Sequence, residues 1–264
     1  IYNLAAQSHA AVSFQNPHYS SISANSGIIS LLESIKNNEK EIKFYQASSS
    51  EMFGGIDKSK LSENSVLIPK SPYAASKVFS HHLTQIYRDS YNIFGVNGIL
   101  FNHESPYRGE TFVTRKVTRA IGRIYHGIQS KLTLGNLDAS RDWGFAGDYA
   151  EGMYLMMQYS APEDWVLATG ESHKVREFVE KAFLVVDLNW EKYVEISEKY
   201  FRPNEVEHLL GDASKAKKYL GWKPKTSFDE LIEIMVKEDM KLAEKEKILM
   251  ESNLLKPTWE NPIG

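Results

Sequence analysis

No cysteine occurs in the 264 residues, which removes disulfides, thiolate metal sites and thiol nucleophiles together and leaves a reducing cytosol open to the chain. Long apolar runs are missing too: none approaches membrane-spanning length. The opening Ile1-Tyr2-Asn3-Leu4-Ala5-Ala6 lacks the basic flank and apolar stretch of a secretory leader, so the expectation is a cytoplasmic chain without a membrane partner. Charge of one sign is equally scarce. Thirty-one Lys and Arg face 34 Asp and Glu, a net −3, which gives no broad field for nucleic acid and requires any anionic ligand to be held by locally placed groups. Also lacking is a glycine-rich phosphate turn: no G-x-G-x-x-G or G-x-x-G-x-x-G follows a strand anywhere.

What is present is ordinary globular material, 42% hydrophobic and 25% charged, long enough to bury a substantial core. Over the first two-thirds, short apolar runs alternate with amphipathic stretches, the pattern of strand and helix units around a parallel sheet. Ile42–Ala47 and Gly95–Asn102 read as successive strands. Ligands of open α/β sheets sit at the carboxyl ends of strands, so Ser48-Ser49-Ser50-Glu51 and Asn102-His103-Glu104 fall where a site is expected. Between them, Ser71-Pro72-Tyr73 reads as a helix start running toward Tyr91, because Ser caps free amides and Pro lacks only an N–H that has no partner there. Helices are also expected after Thr111 and over Asp148 to about Tyr159, with the methionines of the latter as packing. His81-His82 is read as decoration on a helix surface. After Trp165–Gly170 the pattern changes to helices separated by polar segments. There Asp212 is placed as a short helix's cap, and Thr226-Ser227-Phe228-Asp229-Glu230 opens a long amphipathic helix.

Tyr73 and Lys77 stand four apart on the predicted helix and so share a face. An ammonium beside a phenol favours the phenolate and makes a usable base near neutrality. Spacing alone does not separate this from an exposed lysine beside a half-buried tyrosine. The preceding strand supplies the context, ending in Ala47-Ser48-Ser49-Ser50-Glu51-Met52-Phe53-Gly54 with a hydroxyl and a carboxylate at the sheet's carboxyl edge. Strand-end serines also form turns and caps, and a turn glutamate is often merely solvated.

This arrangement resembles the extended short-chain dehydrogenase/reductase family, whose Ser or Thr hydrogen-bonds the substrate hydroxyl while Tyr takes its proton. Within it, Ser50-Glu51 resembles the GDP-mannose 4,6-dehydratase branch, where a carboxylate is needed to remove the carbon 5 proton. The likeness extends through Ile99-Leu100-Phe101-Asn102-His103-Glu104-Ser105-Pro106, Arg108-Gly109, Phe112-Val113-Thr114-Arg115-Lys116, Leu134-Gly135-Asn136-Leu137-Asp138 and Arg141-Asp142-Trp143-Gly144. It reaches from Tyr2–His9 to Leu220-Gly221-Trp222-Lys223-Pro224.

The resemblance implies an α/β fold with a Rossmann-like doubly wound parallel sheet and a smaller C-terminal substrate-binding lobe. Residues 1–165 would be the NADP-binding domain with the catalytic residues and 166–264 mainly the substrate lobe, the two interleaved. It implies NADP as cofactor, held by Leu4, Ala6, Ser8, Tyr19, Lys77, His103 and Arg108, and a GDP-sugar held by Asn102, Lys116, Arg141, Arg202 and Glu205. Guanidinium forks suit a diphosphate, although any one arginine is more often a surface ion pair. Ser49, Glu51, Tyr73 and Lys77 would be catalytic. They would run an internal redox cycle that oxidises carbon 4, expels water across carbons 5 and 6, and returns the same hydride to carbon 6. No metal is expected, since the histidines show no ligand spacing. The family implies a homodimer or homotetramer.

Several departures shape the expectations. The family's N-terminal glycine-rich part is read as absent from this chain, and Phe183–Tyr200 as shorter than its counterpart, with a gap near Glu191-Lys192. Ser49 stands where the family usually has threonine and Tyr107 where it commonly has arginine, which opens GDP-manno-heptose as an alternative substrate. A GDP-sugar epimerase or reductase would share Tyr73 and Lys77 without a use for Glu51. A non-catalytic nucleotide-binding subunit is the reading from another class.

Overall fold

The alternation of apolar runs and amphipathic stretches resolves into a parallel α/β architecture in a computed structural model, which describes residues 1–55, 59–257 and 259. In chain order the elements are β1 (Tyr2–Asn3), α1 (Ala10–Gln15), α2 (Pro17–Lys36), β2 (Phe44–Ser49), α3 (Pro72–Tyr91), β3 (Gly95–Leu100), β4 (Asn102–Glu104), α4 (Val113–Tyr125), β5 (Leu132–Leu134), β6 (Ser140–Arg141), β7 (Trp143–Phe145), α5 (Ala146–Gln158), β8 (Asp164–Leu167), β9 (His173–Lys174), α6 (Val175–Leu184), β10 (Val194–Ile196), α7 (Ser214–Leu220) and α8 (Phe228–Glu251). Two units share them. The first takes 1–103, 139–172 and 202–225, and the second 104–138, 173–201 and 226–264, so the chain passes between units several times.

The first unit is built on a four-stranded parallel sheet in the order β1-β2-β3-β8. Successive side chains on a strand point to opposite faces, and the partners sort accordingly. Tyr45, Val96, Leu100, Trp165 and Leu167 form one core with Tyr149, Met156 and Met157 of α5 and Trp222. Gly98 has no side chain because the Tyr45 ring occupies its place: a Cβ there would lie 2.2 Å from the Tyr45 hydroxyl. Phe44 packs instead with Ile28, Leu32 and Ile35 of α2. Ser48, Asn97 and Asp164, on the same face of the sheet as Phe44, meet polar groups of α3.

Helix α3 starts as its sequence dictates. Ser71 Oγ accepts from the amide of Ala74 at 3.1 Å, Pro72 occupies the first turn, and Asn92 ends the helix in the left-handed conformation at φ 54°. Strand β2 lies two residues later than Ile42–Ala47, because its pairing with β3 begins at Phe44↔Gly95 and continues to Ser49↔Leu100. Asp212 accepts from the Ser214 amide at 2.9 Å, so it serves the start of α7 although Ala213 is the capping position.

In the second unit β5 pairs in parallel with β10, and α4 packs along α8. Gly122 permits that approach, since a Cβ there would lie 2.6 Å from the Asp239 carbonyl oxygen. Asp239, fully buried, takes Arg115 Nε at 2.8 and 3.0 Å and Thr118 Oγ1 at 2.6 Å. Helix α8 opens with a complete capping box between Ser227 and Glu230. No helix among the described residues is long and apolar enough to cross a membrane.

Candidate active site

The carboxyl end of β2 and the first turns of α3 bring the predicted chemistry together in the first unit. Ser49 ends the strand, and its Oγ accepts from the Glu51 amide at 3.3 Å, which turns the chain into a short 3₁₀ segment, Ser50–Phe53. Gly54 closes that turn at φ 69°, where a Cβ would strike the Ile68 carbonyl oxygen, so only glycine lets the segment fold back here. Glu51 is thereby fixed at the sheet edge.

Tyr73 and Lys77 share one face of α3. Lys77 Nζ donates to the carbonyl of Ala47 at 2.8 Å and lies 5.8 Å from the centroid of the Tyr73 ring. Strand β1 ends its pairing at Asn3↔Gln46, so the Ala47 carbonyl lies beyond the last β1 partner and is open to a side-chain donor. Burial pushes the Lys77 ammonium down to about 8. Tyr73 is half-buried, and its amide donates to Ser13 Oγ at 3.1 Å. Ser13 is fully buried and donates to the Ala10 carbonyl at 2.6 Å, so α1 helps hold the first turn of α3.

Four charges, Glu51 among them, meet at the carboxyl edge of β2. Arg202 Nη1 stands 3.4 Å from Glu51 Oε1 and 3.8 Å from Glu205 Oε1, and Arg141 Nη2 donates to Glu205 Oε1 at 3.0 Å. Burial pushes the Arg141 guanidinium down; the Glu51 and Glu205 carboxylates oppose that, while Arg202 adds to it. Two guanidiniums and two carboxylates balance each other, so an entering diphosphate would find cations already ordered. Asn102 Oδ1 is buried without a hydrogen-bond partner among the described residues, an acceptor suited to a polar ligand group. His103 is fixed by its Nδ1 contact with the Phe101 carbonyl at 2.9 Å and by stacking on Tyr149.

The remaining predicted positions divide by unit. In the first, Leu4, Ala6 and Ser8 follow β1 at the carboxyl edge, Ala6 half-buried and the other two exposed, and Tyr19 is exposed in the first turn of α2. In the second, Arg108 Nε pairs with buried Glu104 at 3.2 Å and its guanidinium lies over the Phe112 ring. Lys116 donates to the Thr133 carbonyl at 2.7 Å and lies 3.9 Å from the Tyr200 ring centroid, with its ammonium pushed down by burial.

One sequence reading is corrected. His81 is buried rather than displayed on the helix surface; only His82 is exposed. The His81 Nδ1 lies 3.1 Å from Ser48 Oγ, and its Nε2 lies 3.7 Å from Asp164 Oδ2. Asp164 also takes Arg88 and Asn97, each at 2.9 Å. The available signal was position: His81 follows Lys77 by four residues, hence on the same face of the helix.

Comparison with known proteins gives a consistent result. The family model described as GDP-mannose 4,6 dehydratase matches residues 1–235. The chain is 55% identical over 259 residues to GDP-mannose 4,6 dehydratase 1 of Arabidopsis thaliana, covering 97% of this chain and 72% of that protein. It is 54% identical to GDP-mannose 4,6 dehydratase 2 of the same plant, covering 97% and 69%. Among solved structures, RMD from Pseudomonas aeruginosa complexed with NADPH superposes with a TM-score of 0.83 at 21% identity, over 91% of this chain and 81% of that one. At that identity the likeness is one of fold.

Proposed function

The chain belongs to the GDP-mannose 4,6-dehydratase family, and from that premise we propose that it converts GDP-mannose to its 4-keto-6-deoxy derivative with NADP as resident hydride carrier. The observation carrying the reading is the joint placement of Ser49 and Glu51 at the end of β2 with Tyr73 and Lys77 on the facing helix, tied together by the bond from Lys77 to Ala47. An epimerase has no use for a carboxylate at position 51.

The residues fit a nicotinamide cofactor. Among the described residues Lys77 commits one of its three donors, to Ala47, and the fixed ring of His103 lies at the same carboxyl edge. Lys77 and His103 would hold the cofactor together with Leu4, Ala6, Ser8, Tyr19 and Arg108. When bound, NADP supplies the acceptor for the carbon 4 hydride and its later donor to carbon 6.

The chain's own groups move the protons. Tyr73 takes the proton of the carbon 4 hydroxyl, Ser49 hydrogen-bonds that oxygen, and the Lys77 charge favours the phenolate. Once carbon 4 is a ketone, the carbon 5 hydrogen is acidic and Glu51 takes it. The protons gathered by Tyr73 and Glu51 then leave again: one departs with the carbon 6 hydroxyl as water, and one returns to carbon 5 as hydride reaches carbon 6. Arg141 and Arg202 would take the diphosphate, and Asn102, Glu205 and Lys116 would hold the rest of the GDP-sugar. The Lys116 and Arg108 roles rest on the family pattern.

Ser49, smaller by a methyl than the family's usual threonine, keeps GDP-manno-heptose as a second candidate substrate. We also assign a homo-oligomer, supported by the family and by Tyr19, Ile22, Ile29, Phe79 and Ile86, apolar residues exposed on α2 and α3. The test is incubation of the full-length protein with each GDP-sugar, following mass without added reductant. Loss of water establishes the dehydratase, and the faster sugar names the substrate. NADP bound without loss of water would point to an epimerase or reductase, and no NADP bound to a non-catalytic subunit.

A further inference from the structure

The buried polar network under the Tyr73–Lys77 pair lies outside the chemistry assigned above. Its members come from three strands and one helix of the first unit. Ser48 of β2, Asn97 of β3 and Asp164 of β8 face His81, Gln85 and Arg88 of α3. Ser48, His81 and Asn97 are each at least 95% buried. Buried polar groups cost stability unless fully paired, and an apolar layer would serve packing as well. The network needs a reason beyond filling space.

Its connectivity gives one. Lys77 Nζ donates to the Ala47 carbonyl at 2.8 Å, and the peptide bearing that carbonyl also contains the Ser48 nitrogen, so the plane cannot rotate without moving Ser48. Ser48 Oγ is held by His81 Nδ1 at 3.1 Å and by Asn97 Oδ1 at 3.4 Å. His81 sits one turn after Lys77 on the same helix face, and its own carbonyl accepts from Asn97 Nδ2 at 3.1 Å. The path from Lys77 to Ala47, through the peptide to Ser48, across to His81 and back along one helical turn is a closed ring.

We propose that His81 is a positioning residue: by clamping Ser48 to α3, it fixes the peptide plane whose carbonyl aims the Lys77 ammonium at Tyr73. This deepens the reading of Tyr73 and Lys77 as the proton-transfer pair and rests on it. The groups facing His81 are Asp164 of β8, with Arg88 and His82 of its own helix beyond. Burial outweighs the Asp164 carboxylate and keeps the imidazole neutral, pushed down to about 4, so the clamp is a neutral hydrogen bond at the pH of catalysis.

Two readouts separate this clamp from general support. In full-length protein, NMR titration of the carbon next to Lys77 Nζ follows the ammonium without reference to turnover, and kcat against pH follows the tyrosine base. In His81→Phe, Lys77 should titrate about one unit or more closer to the ordinary lysine value. The acid limb of the kcat profile should rise by about one unit while KM for GDP-mannose stays within about twofold. His81→Asn, which can still bond Ser48 from near the Nδ1 position, should restore most of both. Ser48→Ala cuts the same bond from the strand side and reports equally if His81→Phe fails to fold. A folded His81→Phe or Ser48→Ala whose Lys77 titration and kcat profile match the parent overturns the proposal, as does equal loss in His81→Asn and His81→Phe. A moved Lys77 titration in a protein whose parent dehydrates neither GDP-sugar would keep the clamp and sink the dehydratase reading instead.

Discussion

Arg202 Nη1 stands 3.4 Å from Glu51 Oε1, so the residue assigned to the substrate's diphosphate touches the residue assigned to its carbon 5 proton. Because a guanidinium serves several acceptors, a phosphate can draw Arg202 toward itself without stranding Glu51 in an apolar setting; Glu51 lies at a sheet edge and keeps partial access to solvent. Binding and chemistry should therefore separate by mutation. Arg202→Ala should raise KM for GDP-mannose by about 10- to 100-fold, the loss of a charged hydrogen bond worth about 1.5–3 kcal/mol. Glu51→Gln should instead lower kcat by about 10²- to 10⁴-fold with little change in KM. Solvent deuterium appearing at carbon 5 of the product is the direct measure, and Glu51→Gln should abolish it.

Lys77 links pH to stability in a direction that can be worked out. Its ordinary value is 10.5 and burial lowers it to about 8 in the folded chain. Between those values the unfolded chain holds a proton that the folded chain has released, so stability rises with pH across that window. Below about 8 both states are protonated and the burial cost is present in full, up to about 3 kcal/mol. Lys77→Met should accordingly be more stable at pH 7 by about 1–2 kcal/mol, less than the full cost because the bond to Ala47 is lost, while activity disappears. Thermal unfolding compared with turnover checks both halves.

His81 acts in an acid window. Burial lowers it from 6.5 to about 4, against the pull of Asp164, so the unfolded chain takes up a proton below about 6.5 that the folded chain refuses until about 4. The His81 contribution to stability is flat above that window and falls as pH drops through it, by up to about 3 kcal/mol in all. Urea unfolding at pH 7 and pH 5 measures the slope. His81→Gln, which does not titrate, should flatten it.

How far the sequence could be read follows from how local each cause is. The Ser71-Pro72 start of α3, its run to Tyr91 and the Ser227/Glu230 capping box of α8 were legible because caps act within four residues. The placement of Ser49 and Glu51 at a strand end and of Tyr73 and Lys77 on one helix face was legible because both follow from periodicity and from the family resemblance. The clamp was not, since Ser48 and His81 are 33 residues apart and Asn97 and Asp164 are 67 apart. Nor was Ser13, whose bond to Tyr73 spans 60 residues. The end of β2 moved for the same reason: the Ser49↔Leu100 pairing is set by β3, not by the β2 sequence.

Asp239 tests the second unit by itself. It is fully buried among Arg115 at 2.8 Å, Thr118 at 2.6 Å and Arg119 at 3.9 Å, joining α8 to α4. Burial pushes its carboxyl up, opposed by Thr118 and Arg115. Asp239→Leu leaves two buried guanidiniums without this carboxylate and should cost about 3–5 kcal/mol in urea unfolding. Asp239→Asn, which keeps one acceptor, should cost less.

Ser49 is where substrate choice is most simply probed. Its backbone is extended, at φ −150° and ψ 143°, a conformation that a β-branched residue adopts readily, and its hydroxyl already accepts from the Glu51 amide. Ser49→Thr therefore keeps backbone and hydroxyl and adds a single methyl at a position 8% exposed. One methyl in a confined site discriminates by about 10- to 200-fold. If the smaller residue makes room for a longer sugar, Ser49→Thr should lower kcat/KM for GDP-manno-heptose by about tenfold or more. GDP-mannose turnover should stay within about threefold of the parent, since the hydroxyl that serves catalysis is retained. An unchanged ratio of the two sugars would place the discrimination elsewhere and remove the argument for the heptose from this position.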